Sequence, residues 1–462
     1  MKMKYNILAL IILLGLFNAC DVDDIIPINE LTEDNVVTDA ASANALLNRV
    51  YTLHRNRESG STNAVDMAIG FSVSGIDQEQ RFRILPDLAD FNSNSIKDDS
   101  PTLKDYYIEL YSIINHANFL IEKLEEGVAV DLSNERSLEM QAEARTMRAM
   151  AHFHALRTWG QFYDRNSELG VVISTKPIRG AQDLPRSTVQ AVYDAIITDL
   201  DFAVTNGPSN RERFYVSSTF AQALLGKVQL YMGEYAAAAS NAKAVIDNTA
   251  DNFELYTGIY TDIWAEQWNN AEVLFAPFAN GRLNNEDSGE GKKILFGCKP
   301  SSVLQTIANN STGADDANID PRYFANFFEP TIKYPRNDAE EGNTYYYMRM
   351  AELYLIHAEA EIRKDGGNST LALTSLNAVR QRQAMPDKSF VDKATILKDI
   401  KDEKSLELFS ETGESWFDMV RYHFEGDIDA LVLKQSLTDV NQFIFPIPVE
   451  AIGGNPALVQ NP

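Results

Sequence analysis

Cysteine is scarce in this chain, and apolar stretches long enough to span a membrane are missing. Its 462 residues include two cysteines, Cys20 and Cys298. They cannot build a disulfide framework, and no Cys-x-x-Cys motif for metal or redox chemistry is present. The apolar run at residues 7–17 has eleven residues, whereas a spanning helix needs about 20. The stability of the fold must therefore come from packing.

Basic residues are also few compared with acidic ones. The chain has 41 Lys and Arg against 66 Asp and Glu, which gives a formal net charge of -25. No run of Lys or Arg forms a basic patch, so general binding of nucleic acid is disfavoured, because an acidic surface repels phosphates. Hydrophobic residues make up 45% of the chain, which indicates a globular protein with a large core.

The first 20 residues have the pattern of an export signal. Lys2 and Lys4 precede the apolar run, which ends in Leu16-Phe17-Asn18-Ala19-Cys20. This resembles a bacterial lipobox, so we expect a signal peptide at residues 1–19 and lipidation of Cys20. Acyl chains contribute about 0.8 kcal/mol per buried CH₂ and would hold the protein at a membrane. The alternative is an ordinary signal peptide followed by an incidental cysteine. Residues 20–35 then form the lipidated cysteine and an acidic tether.

Helical periodicity dominates the rest of the chain. Helices are predicted over 40–53, 103–124, from Ser133 to Trp159, from Ser187-Thr188 to about 200, 218–232, 235–246, 347–364, 371–382 and 393–409. The pair at 218–246 carries small and aromatic residues at the spacing of a tetratricopeptide unit: Gly226, Gly233, Tyr235, Ala238 and Val245. A generic helical hairpin is the alternative. We predict an all-α-dominated fold with a tetratricopeptide-like scaffold.

One long segment departs from this pattern. Residues 253–345 are rich in Asn, Gly, Pro and aromatic residues, and residues 60–100 are similar. Irregular segments of this length are more often functional than idle. We therefore divide the mature chain into an N-terminal helical region at 36–252, an irregular, loop-rich segment at 253–345 that is expected to be functional, and a C-terminal region at 346–462. The tail after residue 440 is expected to pack in extended form, because its prolines interrupt helix.

Taken together, the motifs resemble the SusD/RagB family of outer-membrane nutrient-binding lipoproteins, and the resemblance runs through most of the chain. The residues that carry it are Cys20 with its lipobox, Tyr111 to Asn118, Glu143 to Ala149, Phe153 to Gly160, Leu184 to Thr188, Ala223 to Gly226, Asp320-Pro321-Arg322, Met348 to Leu355, Leu376 to Arg382, Trp416 to Arg421, Phe445-Pro446-Ile447-Pro448 and Gln460-Asn461-Pro462. The acidic residues after Cys20 are similar to the surface-export signal of Bacteroidetes lipoproteins.

Two positions depart from the family's pattern. Glu403 is followed by Lys404 where the family usually has Arg. The stretch Thr412-Gly413-Glu414-Ser415 stands before the tryptophan where the family usually has Glu-Gly-x-Arg. By the resemblance these are scaffold positions, so we expect the departures to affect stability more than the choice of ligand.

The resemblance implies a lipid-anchored protein at the outer membrane that faces the cell exterior. It would bind an oligosaccharide or a peptide and deliver it to a TonB-dependent, SusC-like barrel. The family is not enzymatic, and it implies no cofactor. The alternatives from other classes are a lipid-anchored hydrolase and a structural adaptor that uses its repeats to hold another protein.

The residues themselves single out no catalytic or metal site. Asp316-x-Asn318-x-Asp320 begins like a calcium loop, but Pro321 takes the place of the required glycine. Aromatic rings offer flat surfaces for the C–H faces of sugars. The candidate ligand-binding residues are therefore Trp268, Trp264, Phe82 and Phe91. Trp264 falls where the family usually has a buried phenylalanine, so for this residue a core position is favoured over a place in the site.

Overall fold

The computed structural model describes residues 36–55, 75–80, 88–278, 298–311, 319–327, 333, 344 and 346–462. The predicted signal peptide, Cys20, the acidic tether and Phe82 lie outside these residues. Helices dominate the described part of the chain, which confirms the predicted fold class. The N-terminal region contains α1 (Ala40–Arg55), α2 (Leu88–Asn92), α3 (Pro101–Glu126), α4 (Asn134–Trp159), α5 (Val189–Asn206), α6 (Ser218–Tyr231) and α7 (Tyr235–Ile246).

The middle and C-terminal regions add shorter elements. They are α8 (Asp262–Ala265), a 3₁₀ turn (Gln267–Asn269), α9 (Ser302–Ser311), α10 (Pro321–Phe327), α11 (Met350–Arg363), α12 (Ser369–Gln381), α13 (Lys393–Glu407), α14 (Glu414–Phe424), α15 (Ala430–Leu433), a second 3₁₀ turn (Val440–Phe443) and α16 (Val449–Gly454). Segment 253–345, predicted as irregular, therefore holds three short helices and two short strands within its described residues.

The long helices begin where polar side chains cap them. Ser100, Ser133, Thr188 and Ser217 each accept a hydrogen bond from the main-chain N–H three residues later, at the starts of α3, α4, α5 and α6. Such caps satisfy a donor that the first helical turn leaves unpaired. The predicted cap at Ser133 is thereby confirmed, and of the predicted pair Ser187-Thr188 it is Thr188 that caps α5.

Successive helices pack side by side to form the scaffold. α4 packs between α3 and α5, α5 on α6, α6 on α7, α7 on α11, and α11 on α12 and α13. Two glycines explain the close approach of α6 and α7. Gly226 faces the main chain of α7, where an added Cβ would lie 3.3 Å from the nitrogen of Ala242, and Gly233 turns the chain with φ +75°. This tetratricopeptide-like packing is the predicted one.

Two short antiparallel pairs of β-strands join distant parts of the chain. β1 (Gln78–Gln80) pairs with β3 (Cys298–Pro300), and β2 (Val273–Phe275) pairs with β4 (Met348–Arg349). The second pair ties the segment after α8 to the start of α11, with Val273 opposite Arg349. It fixes that segment against the scaffold at the point where the candidate site begins.

A buried network of ion pairs also holds the region where β2 pairs with β4. Arg349 binds Glu272 at 2.6 Å, Glu407 at 2.5 Å and Glu411 at 2.8 Å, and these side chains are at most 9% exposed. We call the whole set the buried ion-pair network; its members are Glu272, Asp320, Arg322, Lys333, Arg349, Arg380, Arg382, Glu403, Glu407 and Glu411. Charges this deep persist only when each is paired and hydrogen-bonded.

Lys404 and Glu414, which lie in the two stretches that depart from the family's pattern, both form ion pairs. Lys404 binds Asp418 at 2.5 Å. Glu414 binds Arg157 at 2.8 Å and Lys227 at 2.7 Å. These pairs are buried inside the scaffold.

The tail differs in part from its expected extended form. Phe445 and Ile447 pack into the core, and the N–H of Phe445 donates to the carbonyl of Thr158 at 2.8 Å. Between Pro448 and Asn455, however, the chain forms α16. Pro448 precedes the first turn of this helix, where a proline is compatible with helix.

Candidate functional site

Three aromatic side chains form a partly exposed cluster beside the scaffold. The ring of Trp268 lies 5.7 Å from that of Phe214, edge to face, and 4.9 Å from that of Phe278; Phe214 and Phe278 are 5.1 Å apart. Phe278 is 37% exposed, and Trp268 and Phe214 are half-buried. We call Phe214, Trp268 and Phe278 the aromatic platform. Its rings brace one another, so little entropy is lost when a ligand contacts them.

Trp268 is positioned by the 3₁₀ turn between α8 and β2. The turn begins at Gln267, whose φ of +54° is unusual for a residue with a side chain. Tyr346 holds the turn: its hydroxyl donates to the carbonyls of Ile263 and, at 3.2 Å, Gln267. The chain leaves the turn at Asn270, whose side-chain oxygen accepts from the N–H of Glu272 at 3.0 Å.

Phe214 and Phe278 reach the platform from two other chain segments. Phe278 follows β2 in sequence. The main-chain N–H of Ala276 donates to the carbonyl of Arg213 at 2.9 Å. This contact aligns the segment before α6 with the end of β2, so that Phe214 meets Phe278.

Two guanidinium groups close to Phe214 in the sequence lie over aromatic rings outside the platform. Arg211 sits over the ring of Tyr215 at 4.3 Å, and Tyr215 contacts Phe214 at 4.7 Å. Arg213 sits over Phe253 at 5.1 Å, and partial burial lowers its pKa from the ordinary value. Flat apolar rings beside fixed hydrogen-bond donors suit a ligand that has both apolar faces and oxygen acceptors.

The four aromatic residues predicted from sequence have different positions. Trp268 belongs to the platform. Trp264 is 4% exposed and packs against Tyr260 and Tyr346, so its alternative reading as a core residue fits the structure. Phe91 is 1% exposed and packs edge to face on Phe445. A ring without accessible surface cannot contact a ligand, so Trp264 and Phe91 act as scaffold. Phe82 lies outside the described residues.

Sequence reasoning missed two members of the platform. Phe278 lies inside the aromatic-rich segment 253–345, so composition had already marked its neighbourhood. Phe214 lies before α6 in the helical region, in the stretch Arg211 to Tyr215 where arginines and aromatic residues meet. That local mixture was the available signal, but only the pairing of distant segments brings Phe214 to Trp268.

The residues considered as metal ligands serve as structural groups where they are described. Asp320 is fully buried and accepts from Arg322 at 3.0 and 2.8 Å, while Asp316 and Asn318 lie outside the described residues. Within the described ranges no group of three or more His, Cys, Asp or Glu residues is placed to hold a metal ion. Among the described helices, none combines the length and apolar character needed to cross a bilayer.

Two family models match the sequence. The model for the "SusD family" matches residues 323–462, and a second model, "Starch-binding associating with outer membrane", matches residues 30–232. Among curated relatives, SusD-like protein P38 of Formosa agariphila is 24% identical, and the alignment covers 81% of this chain and 83% of that protein. SusD-like protein P2 of the same organism is 22% identical with 99% of both chains covered.

Solved structures of the same kind have the same fold. A SusD superfamily protein from Bacteroides thetaiotaomicron aligns with a TM-score of 0.76 at 22% identity, covering 92% of this chain and 100% of that one. A laminarin-binding SusD-like protein aligns with a TM-score of 0.75 at 21% identity, covering 92% and 99%. The family models, the relatives and the shared fold agree with the motifs read from the sequence: the chain belongs to the SusD/RagB family.

Proposed function

We propose that this protein is a non-catalytic carbohydrate-binding lipoprotein of the outer membrane, which captures an oligosaccharide and passes it to a TonB-dependent, SusC-like transporter. The aromatic platform is the observation that supports this proposal most directly. Sugar rings present apolar C–H faces, and the partly exposed rings of Trp268 and Phe278 offer surfaces on which such faces stack. The laminarin-binding relative with the same fold points to the same class of ligand.

The polar neighbours of the platform complement the rings. Asn269 is exposed directly after Trp268, and Arg211 lies beside Tyr215. Amide and guanidinium N–H groups donate to sugar hydroxyl oxygens and fix their orientation. Rings provide the area for binding, and these donors provide selectivity.

The anchor and the partner belong to the same proposal. Cleavage before Cys20 and acylation of its sulfur would tether the folded body through residues 20–35 to the outer membrane, facing the cell exterior. A Cys20→Ala variant, expressed in a native-type host, is expected to leave the membrane fraction. If it stays in that fraction, the lipid anchor is refuted. Co-purification of a TonB-dependent barrel with the wild-type protein tests the partner.

Calorimetric titration with soluble laminarin and with malto-oligosaccharides tests carbohydrate binding. We expect saturable binding of at least one of them, and at least tenfold weaker binding by Trp268→Ala, which corresponds to about 1.4 kcal/mol. Phe390→Ala is the matched control, because Phe390 is 59% exposed and is not part of the platform.

Three outcomes would contradict the proposal. Equal affinity of Trp268→Ala and the wild type would remove the platform from the site. Release of shorter sugars during incubation would favour the hydrolase. Binding of peptides in place of any glycan would favour a peptide-importing member of the same transport system.

A further inference from the structure

A second group of surface aromatic rings lies outside the aromatic platform. The rings of Tyr163, in the segment between α4 and α5, and of Phe424, at the end of α14, are parallel within 3°, and their centroids are 3.6 Å apart. Phe424 is 41% exposed and Tyr163 is half-buried. Phe424 therefore keeps a large accessible surface although Tyr163 covers one face of its ring.

These two rings line a cleft of about 350 Å³. The rest of its lining is one apolar side chain and three polar ones, which are Val440, Gln161, Asp164 and Asn441. Val440, Asp164 and Asn441 are exposed, so the cleft is open to solvent. Its volume is at the lower end of the range for small-molecule sites, which suits a short stretch of a glycan. None of its residues belongs to the aromatic platform.

Hydrogen bonds fix the two chain segments that form the cleft. The N–H of Gln161 donates to the carbonyl of Leu169, and the N–H of Asp164 donates to the carbonyl of Gln161, each at 2.8 Å. On the other side, Asp439 caps the second 3₁₀ turn, and its carboxylate accepts from the N–H of Asn441 at 2.8 Å. Because the lining is held in place before a ligand arrives, little conformational entropy is lost on binding.

The exposed polar groups of the cleft are accessible for new hydrogen bonds. The side-chain amide of Asn441 makes no hydrogen bond within the part of the chain that the structure describes. The carboxylate of Asp164 accepts from the N–H of Asn166 at 3.0 Å and keeps capacity for further donors. An amide both donates and accepts, and a carboxylate accepts, so together they suit the hydroxyl groups of a sugar.

We propose that this cleft is a second carbohydrate-binding site, in which the accessible ring of Phe424 stacks on the C–H face of a neutral sugar unit while Asn441 and Asp164 bind its hydroxyl groups. The inference rests on the proposed function, because it assigns the same class of ligand to a second place on the molecule. The carboxylate of Asp164 disfavours an acidic sugar. The cleft offers fewer rings than the platform, so we expect it to be the weaker of the two sites.

The binding that remains in Trp268→Ala tests the proposal, because this variant disables the platform. Calorimetric titration of the full-length Trp268→Ala protein with laminaritriose and with maltotriose should show saturable residual binding of at least one of them. Adding Phe424→Ala should weaken this residual binding about tenfold, since the stacking surface is lost. Adding Phe390→Ala, which removes an exposed ring outside both sites, should leave it unchanged.

A second variant protects the test against a folding defect in Phe424→Ala. Asn441→Ala removes an exposed side chain and should weaken the residual binding about fivefold, the contribution of one neutral hydrogen bond. Thermal melting curves confirm that each variant is folded. If Trp268→Ala shows no residual binding, or if that binding is unchanged by Phe424→Ala or Asn441→Ala in a folded protein, the second site is refuted, while glycan binding by the wild type still supports the proposed function. If the wild type binds no glycan, both fail.

Discussion

Trp268 and Glu272 are four residues apart, yet their surroundings are opposite. Trp268 is half-buried and held by ring contacts with Phe214 and Phe278. The carboxylate of Glu272 is 0% exposed and is bound by Arg349 and Arg382. This segment thus contributes one residue to the partly exposed aromatic platform and another to the buried ion-pair network. Aromatic rings tolerate small shifts of a ligand, whereas buried ion pairs allow only one geometry. The buried ion-pair network therefore holds the segment that carries Trp268 in one position.

Neighbouring charges in the buried ion-pair network control the ionisation of its members. Burial opposes ionisation of Glu407, but Arg382, Arg349 and Arg322 hold the pKa of its carboxyl well below the usual range. Burial lowers the pKa of Lys333 to about 8 despite its contact with Glu411. Such charges contribute less net stability than an apolar core of the same volume, but removing one partner leaves others unpaired.

The largest effect is expected for Glu407→Gln. Its carboxylate lies between three guanidinium groups, at 2.5 Å from Arg349, at 2.8 Å from Arg322 and in contact with Arg382. Loss of its charge should lower the free energy of unfolding by about 3–5 kcal/mol, measured by urea denaturation. Glu450→Gln is the control, because Glu450 is 55% exposed and 3.9 Å from Lys104; its loss should stay below about 1 kcal/mol. Equal losses of unfolding free energy in the two variants would contradict the distinction between the buried ion-pair network and exposed ion pairs.

The two neighbouring tryptophans sharpen the same contrast. Trp264→Ala removes a 4% exposed ring that lies 5.4 Å from both Lys333 and Arg349, so we expect a loss of about 3 kcal/mol. Trp268→Ala should cost about 1 kcal/mol, since its ring is only partly buried, while it abolishes most ligand binding. Urea denaturation and calorimetry on both variants separate stability from affinity. A larger stability loss for Trp268→Ala would contradict this assignment.

Acid should affect the scaffold through Glu414. Burial opposes its ionisation, yet Lys227 and Arg157 lower its pKa far below the usual value. A carboxyl with a depressed folded-state pKa stabilises the fold above its unfolded pKa of about 4.3, and that stability is lost as the pH falls. Between pH 5 and pH 3 its contribution should shrink by about 2 kcal/mol.

The matched comparison for this acid effect is Glu414→Gln. The variant is less stable at pH 7 but lacks this titration, so its unfolding free energy should fall less steeply from pH 5 to pH 3. Urea denaturation at several pH values gives both slopes. Parallel slopes would show that Glu414 is not ionised against Lys227 and Arg157 in the folded state.

The sequence predicted the scaffold well because its signals are local. Caps such as Ser133 and Thr188 and the spacing around Gly226 act within one or two helical turns. The platform depends on contacts between distant segments, and Phe214 reaches Trp268 only through the alignment of the segment before α6 with β2. Trp264 and Trp268 lie in the same aromatic-rich stretch, so the sequence made both of them candidates for ligand binding. Only their burial distinguishes them, and burial arises from tertiary packing.

The smallest effect concerns the helix pair that underlies the scaffold. In Gly226→Ala the new Cβ would meet main-chain atoms of α7, 3.3 Å from the nitrogen of Ala242 and 3.5 Å from the carbonyl oxygen of Ala238. The better helix propensity of alanine favours the variant by about 1 kcal/mol, but main-chain atoms cannot rotate away, so the two helices must separate slightly. We expect a net loss of about 1 kcal/mol with unchanged ligand affinity.

Gly453→Ala is the control for this change, because an added Cβ there meets no atom within 4 Å. Because the new methyl group meets no other atom, the variant should be about 0.5 kcal/mol more stable. Alanine has the higher helix propensity and lowers the conformational entropy of the unfolded chain. Thermal and urea unfolding of the two variants compare these cases, and titration with the glycan measures the platform. If Gly226→Ala weakened glycan binding, packing of α6 on α7 would reach the ring surface, and the scaffold and the platform would no longer be separable.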